Sequence, residues 1–394
     1  MPLLRPSPSD YTAVVKSLAV AGAAVSNPQG SRPPSKGSVA FVNVASTGAL
    51  IRASPRLVTM PAPKAAVVPV VPRPTLPIDP NNYTVYQSTS FLNSTVFMEG
   101  KFTLDTSGNL YGRLQNNSGV NSFKLVKIAP NGTQTFIAGN GVPNNTFIPG
   151  LGAAVQFDNG MTKCVFDSSG NLFIAGSSNR RIIKVEPNGN TTTYAGTGTA
   201  GFGDGDRTIA TFTSIGGITI DASDTVYVAE IGRKTIRKIT PDGQVSTLTF
   251  SAAFSPSFYT ITMDSLGTLY AIDSSLHRVY KITPTGPSTA DIALLAGSTS
   301  GYTNGQGSAA QFNFVPDNSS ICVDRFGNVY VADGFNGSVR KITPSGNVIT
   351  IAGNGTVGTD SATQLFYPGT PFVDTNGVVY ISTSSSVRKL TPVS

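Results

Sequence analysis

One aspartate recurs six times in this 394-residue chain, at Asp105, Asp167, Asp221, Asp264, Asp324 and Asp374. A recurring carboxylate can do two kinds of chemistry. If all six converged on one axis, they would hold a hard cation such as calcium. If each stood alone beside a turn, it would accept backbone N–H groups and fix that turn. The local sequence favours the second role. Each Asp is followed three residues later by Gly or Asp, in "DTSG", "DSSG", "DASD", "DSLG", "DRFG" and "DTNG", and then by an apolar run. The six are therefore assigned as structural turn residues.

The other reactive residues are sparse. His277 is the only histidine, so a site needing several imidazoles cannot be built. A Ser-His-Asp site would have to use it, and "SSLHR" gives no nucleophile-elbow context. "GNGTVG" and "GTGTAGFG" lack the Lys-Ser/Thr ending and the following helix of a phosphate loop. Cys164 and Cys322 stand three and two residues before their Asp. That parity puts them on opposite faces of equivalent strands, as small buried hydrophobes without a disulfide. No catalytic residue, metal ligand or cofactor is expected.

Strand-like runs must position these residues. Each Asp sits in a unit such as "CVFDSSGNLFIAG" (164–176) or "ICVDRFGNVYVAD" (321–333). A second signature follows, as in "RIIKVEPNG", "TIRKITPDG" and "VRKITPSG", where Pro and Gly reverse the chain. A further β run then closes the unit. Each unit thus offers four short strands, a to d, in meander order. The gaps between the Asp residues are 62, 54, 43, 60 and 50 residues, the period of propeller blades. One blade cannot bury both faces of its sheet, whereas a closed ring of blades can. The expected fold is all-β, a six-bladed β-propeller.

"GNVYVADGFNGSVRKITPSG" and "GNLFIAGSSNRRIIKVEPNG" resemble NHL repeats, and the resemblance spans about residues 100–394. The Asn-His-Leu triplet itself is never intact. Between blades 3 and 4 the long Gly-rich loop that precedes other blades is also missing, and "LTFSAAFSPSFYTITMD" stands there instead. The chain stops on strand c of the sixth unit, so the closing strand is expected from the other end, at Tyr83–Gln87 within 81–88. The resemblance brings two rival expectations, a secreted or surface sensor propeller and a calcium-dependent hydrolase or lyase relative. It also brings RNA as a possible ligand. Basic residues recur on strand c (Lys184, Arg237, Lys238, Lys281, Arg340, Lys341, Arg388, Lys389) and could form a ring of cations on one side of the disc. The propeller's net charge of +1 and the absence of aromatics interleaved with these cations argue against nucleic acid, which is not expected as a partner.

Residues 1–80 are Pro-rich and carry a net charge of +6. They read as an extended basic arm with a short helix near 9–24. Tyr11, Val14, Val15 and Leu18 form its apolar stripe and are the expected docking residues. "RPSPSDYTAVVKSLAVA" resembles the N-termini of structural proteins of large DNA viruses. That likeness implies a non-enzymatic virion component, a minor or decorating capsid protein bound to other structural proteins through its arm. No apolar run is long enough for a transmembrane helix.

Overall fold

A computed structural model describes residues 85–393, apart from 93–95, 117–122, 143–145, 159, 232–233, 252–255, 317–318, 359–363 and 384–385. All lie in the second of the two units into which the chain divides, Pro77–Ser394. The arm, its helix and Tyr11, Val14, Val15 and Leu18 fall outside the described residues.

Six antiparallel meanders form a six-bladed β-propeller. Blade 2 shows the pattern. Its strand a is Met161–Phe166, strand b Leu172–Gly176, strand c Arg181–Val185 and strand d Asn190–Ala195. The a strands of the other blades are Val96–Leu104, Ile215–Ile220, Phe258–Met263, Ile321–Val323 and Pro371–Val373. Strand b lies inside each sheet, with a neighbouring blade against both faces. It is accordingly buried at every position in blades 2 to 5 ("LFIAG", "VYVAE", "LYAID", "VYVAD"). This explains why its sequence is continuously apolar and does not alternate.

The core consists of six seams, one between each pair of adjacent blades. Leu125 meets Ile183, Phe173 meets Val228, and Tyr227 meets Ile261. Ile272 meets Val331, Tyr330 meets Ile381, and Val387 meets Leu110. The last of these joins blade 6 to blade 1, so the ring is closed. Each fully buried side chain of this kind contributes about 1.5–3 kcal/mol.

Blade 6 takes its outer strand from the beginning of the unit. Val85–Leu92 runs antiparallel to Val387–Val393, with Val85 opposite Val393 and Gln87 opposite Thr391. The strand extends to Leu92, beyond the Gln87 limit read from sequence. The intervening Ser-Thr-Ser run has no apolar alternation, but main-chain pairing does not require one.

Linkers between blades are also used. Gly150–Leu151, Gly205–Asp206 and Gly305–Gln306 each add a short antiparallel edge to strand d of the blade that follows. Phe157, Phe212 and Phe312, just before strands a, are fully buried in the seams. Ahead of blade 4 the long linker is missing, and Thr249–Phe250 pairs in parallel with Thr289–Ala290.

Candidate functional site

The structure places the six aspartates on six separate a–b turns at one end of the ring. One carboxylate oxygen, Oδ1, accepts the N–H groups two and four residues on, at 2.8–3.0 Å in every blade. The other, Oδ2, accepts the side-chain amide of Asn109, Asn171 or Asn328 in blades 1, 2 and 5. It also accepts a strand-b phenol from Tyr111, Tyr270 or Tyr330 at 3.1 Å, and from Tyr227 at 3.4 Å. Burial, and then the adjacent carboxylate, push the Tyr111 and Tyr227 phenols up to about 12. Each Asp therefore serves its own turn. Among the described residues no group of three His, Cys, Asp or Glu side chains comes together as a metal site would.

The strand-c arginines are a correction. Arg237 and Arg340 do not belong to a ring of surface cations. They are 1% and 0% exposed, and Arg388 is buried as well. Arg340 donates to Asp333 at 2.8 Å, to Oδ1 of Asn304 at 2.7 Å, and to the carbonyls of Thr303 and Gln311. Its guanidinium lies between the rings of Tyr302 and Phe312. Arg237 repeats the arrangement with Glu230, Asp204, Gly203 and Thr211, over Phe212. Each arginine thus clamps the long linker that enters its blade. The acids at the ends of strands b support the same linker, because Glu230 accepts the N–H of Thr213 and Asp333 that of Asn313. A guanidinium committed in this way is not available to phosphate. The lysines one position further on, Lys184, Lys238, Lys281, Lys341 and Lys389, remain half-buried.

The central channel holds a feature that sequence reading missed. Lys163, on strand a of blade 2, reaches across the axis. Its Nζ donates to the main-chain oxygens of Ile261 in blade 4 at 2.8 Å and of Ile321 in blade 5 at 3.3 Å. Burial pulls this ammonium down to about 8. Beside it is a cavity of about 20 Å³, room for one water, lined by Gly112, Arg113, Thr162, Cys164 and Ile174. Cys164 and Cys322 are free and buried. Burial pushes the Cys164 thiol up to about 12, which keeps it protonated and unreactive. The only sequence signal for Lys163 was a cation in a strand that is otherwise uncharged.

His277 closes the b–c turn of blade 4 in the left-handed region, at φ +52°. Its Nδ1 accepts the N–H of Phe314 at 3.2 Å, and burial lowers its basicity. The turn that it completes is the one that Arg180, Lys234 and Gly337 complete in blades 2, 3 and 5, all with positive φ.

No curated protein matches the chain. Residues 215–358, from strand a of blade 3 to the loop after blade 5, match the family described as Teneurin NHL domain. Among solved structures the chain is similar to an auxiliary nutrient binding protein from Bacteroides ovatus ATCC 8483 (TM-score 0.57, 14% identity, 79% of this chain and 78% of that one). It is also similar to an auxiliary nutrient binding protein from Bacteroides thetaiotaomicron VPI-5482 (TM-score 0.56, 13% identity, 78% and 76%). A putative gluconolactonase aligns with a TM-score of 0.52 at 11% identity, over 78% and 92%. At these identities the likeness is one of fold. With four-stranded blades closed into a ring and an Asp-anchored turn in each blade, the chain is a six-bladed β-propeller, and its blades 3 to 5 match an NHL family.

Proposed function

We propose that this propeller is a non-catalytic recognition module, held in a larger assembly by its basic N-terminal arm, with a virion as the setting and a minor or decorating capsid protein as the role. One observation carries the non-catalytic part: the residues that could do chemistry are already at work holding the ring. His277 supports the linker at Phe314, the six Asp residues fix turns, and Lys163 bridges the channel. Arg237 and Arg340 clamp linkers. What remains exposed is polar and apolar loop surface, including Phe202, Leu266, Phe326 and Phe335. Such surface suits protein contacts.

The arm's +6 charge on a nearly neutral ring supports attachment to an acidic protein surface. Cross-linking and mass spectrometry of purified particles tests the setting. The expected result is residues 1–80 joined to capsid proteins, and absence of the chain from particles overturns it. Calcium-dependent turnover of lactone or ester substrates by the full chain would overturn the non-catalytic reading.

A further inference from the structure

The six a–b turns have one backbone geometry and differ at their tips. The residue two after each Asp is exposed in every blade. It is Ser107, Ser169, Ser223 and Asn376 in blades 1, 2, 3 and 6. In the adjacent blades 4 and 5 it is Leu266, 89% exposed, and Phe326, 68% exposed. The turn does not require these apolar groups. The Leu266 and Phe326 N–H groups bond their Asp at 2.9 Å, as Ser107 and Asn376 do in theirs. Large apolar side chains that a fold leaves in water at one place and replaces with Ser or Asn at equivalent places mark a contact surface.

The same face carries a recess. A pocket of about 310 Å³ lies between the a–b turns of blades 3 and 4, lined by Ile220, Ala222, Ser223 and Met263 together with Asp221 and Asp264. Around this face there follow, in order, the recess between blades 3 and 4, Leu266 on blade 4 and a projecting Phe326 on blade 5. A twofold axis midway between the recess and Phe326, just to the blade 5 side of Leu266, exchanges the outer two. The charges agree, because the Arg325 guanidinium lies over the Phe326 ring at 4.7 Å and two carboxylates line the recess. A patch that carries both a knob and its own complement is what an isologous dimer requires.

We propose that two copies of this chain associate face to face through the a–b turns of blades 3 to 5. Phe326 of each enters the recess between blades 3 and 4 of the other, and the two Leu266 side chains lie on either side of the dyad. An interface of standard size buries about 800 Å² per partner. The two tips are its apolar centre, and the flat ring of neighbouring turns supplies the polar rim. The arm is not needed for this contact.

Analytical ultracentrifugation of the full chain over roughly 1–100 µM tests the proposal. The wild type is expected to show a concentration-dependent dimer. The Leu266→Ser, Phe326→Ser double variant is expected to remain monomeric with an unchanged melting temperature, because Ser occupies the same site in blades 1 to 3. A wild type that stays monomeric throughout, or a double variant that dimerises as well as the wild type, overturns it. A mixing experiment tests the geometry. Phe326→Ser removes the knob and Ser223→Lys obstructs the recess, so each variant alone should associate at least tenfold more weakly than the wild type. An equimolar mixture regains one of the two knob–recess contacts and should associate more strongly than either variant alone. Two weakened variants whose mixture shows no gain overturn the dyad.

Discussion

Blades 3 and 5 and the blade between them, blade 4, solve the same problem with opposite chemistry. Blades 3 and 5 receive a long Gly-rich linker and hold it with a buried guanidinium, Arg237 or Arg340. Blade 4 receives no such linker, and Tyr280 stands at the equivalent place on its strand c. There Phe250 packs edge-on to Phe258 at 5.5 Å, and Phe258 packs on Tyr280. The glycine that ends strand d elsewhere, such as Gly297, is replaced by the buried Leu248. A polar clamp is needed where irregular backbone must be buried, because its carbonyls need donors. Where the linker is short, apolar packing is enough. A repeat in this ring is therefore defined by what fills the seam, not by conservation of one residue.

The clamp is where the comparison breaks most visibly. Arg340→Ala should cost about 3–5 kcal/mol in chemical denaturation, because Asp333 is left buried without its cation. Replacing the pair together, Arg340→Met with Asp333→Leu, should recover part of that loss by giving blade 5 the apolar solution of blade 4. If the single and double variants are equally unstable, the linker carbonyls and not the stranded acid set the cost.

Gly297→Ala should cost about 2–3 kcal/mol. The residue sits at φ +101°, and a Cβ there would lie 2.3 Å from the His277 carbonyl oxygen. This strain belongs to the linker-bearing blades. At Leu248 the corresponding truncation to Ala should lose only apolar packing.

The a–b turns provide the control. Asp264→Ala and Asp324→Ala should each cost about 1–2 kcal/mol, and by similar amounts, because the two turns make the same bonds in the two kinds of blade. Unequal losses would show that the turns also sense the linker.

The smallest effect concerns pH. The folded ammonium of Lys163 loses its proton near pH 8, below the ordinary lysine value of 10.5. Between those values the unfolded chain binds more protons than the folded one, so stability should rise with pH from about 8. Cys164 and Cys322 oppose this above about pH 9, and Tyr111 and Tyr227 above about pH 10, where the ordinary thiol and phenol values are passed and the folded state still holds the protons. In urea titrations at pH 7.5 and 9, the stability difference between the wild type and Lys163→Met should shift toward the wild type as pH rises, because the cysteine and tyrosine contributions are common to both.

Local rules made some of this legible. The Asp turns could be read because donor and acceptor lie within six residues of each other. The blade order followed from strand composition and turn chemistry alone. The arginine clamps were misread as a cation ring because their partners are scattered. Asp333 is seven residues from Arg340, but Asn304 is 36 residues away. Arg at this position of strand c, an acid ending strand b and an Asp or Asn in the preceding linker occur together in blades 3 and 5, and that coincidence was the available signal. Lys163 offered only a cation within a strand and nothing to name its partners, because its acceptors are backbone oxygens 98 and 158 residues away. The knob and recess were hidden for a different reason. Leu266 and Phe326 look like strand residues until the repeat alignment places them on turn tips.

The pairing of Val85–Leu92 with Val387–Val393 sets a timetable for synthesis. The first strand of the ring to leave the ribosome is joined to the last. Until residues 387–393 emerge, blade 6 lacks its third strand and Val85–Leu92 has no edge to pair with. The seam between blades 6 and 1 also stays open, exposing Leu110, Val126 and Tyr380. Blades 1 to 5 can form in order as they are made, but closure must wait and then proceed in one late step. The nascent chain therefore carries an unpaired strand and an apolar seam for most of its translation, the interval in which it is most exposed to pairing with a neighbour.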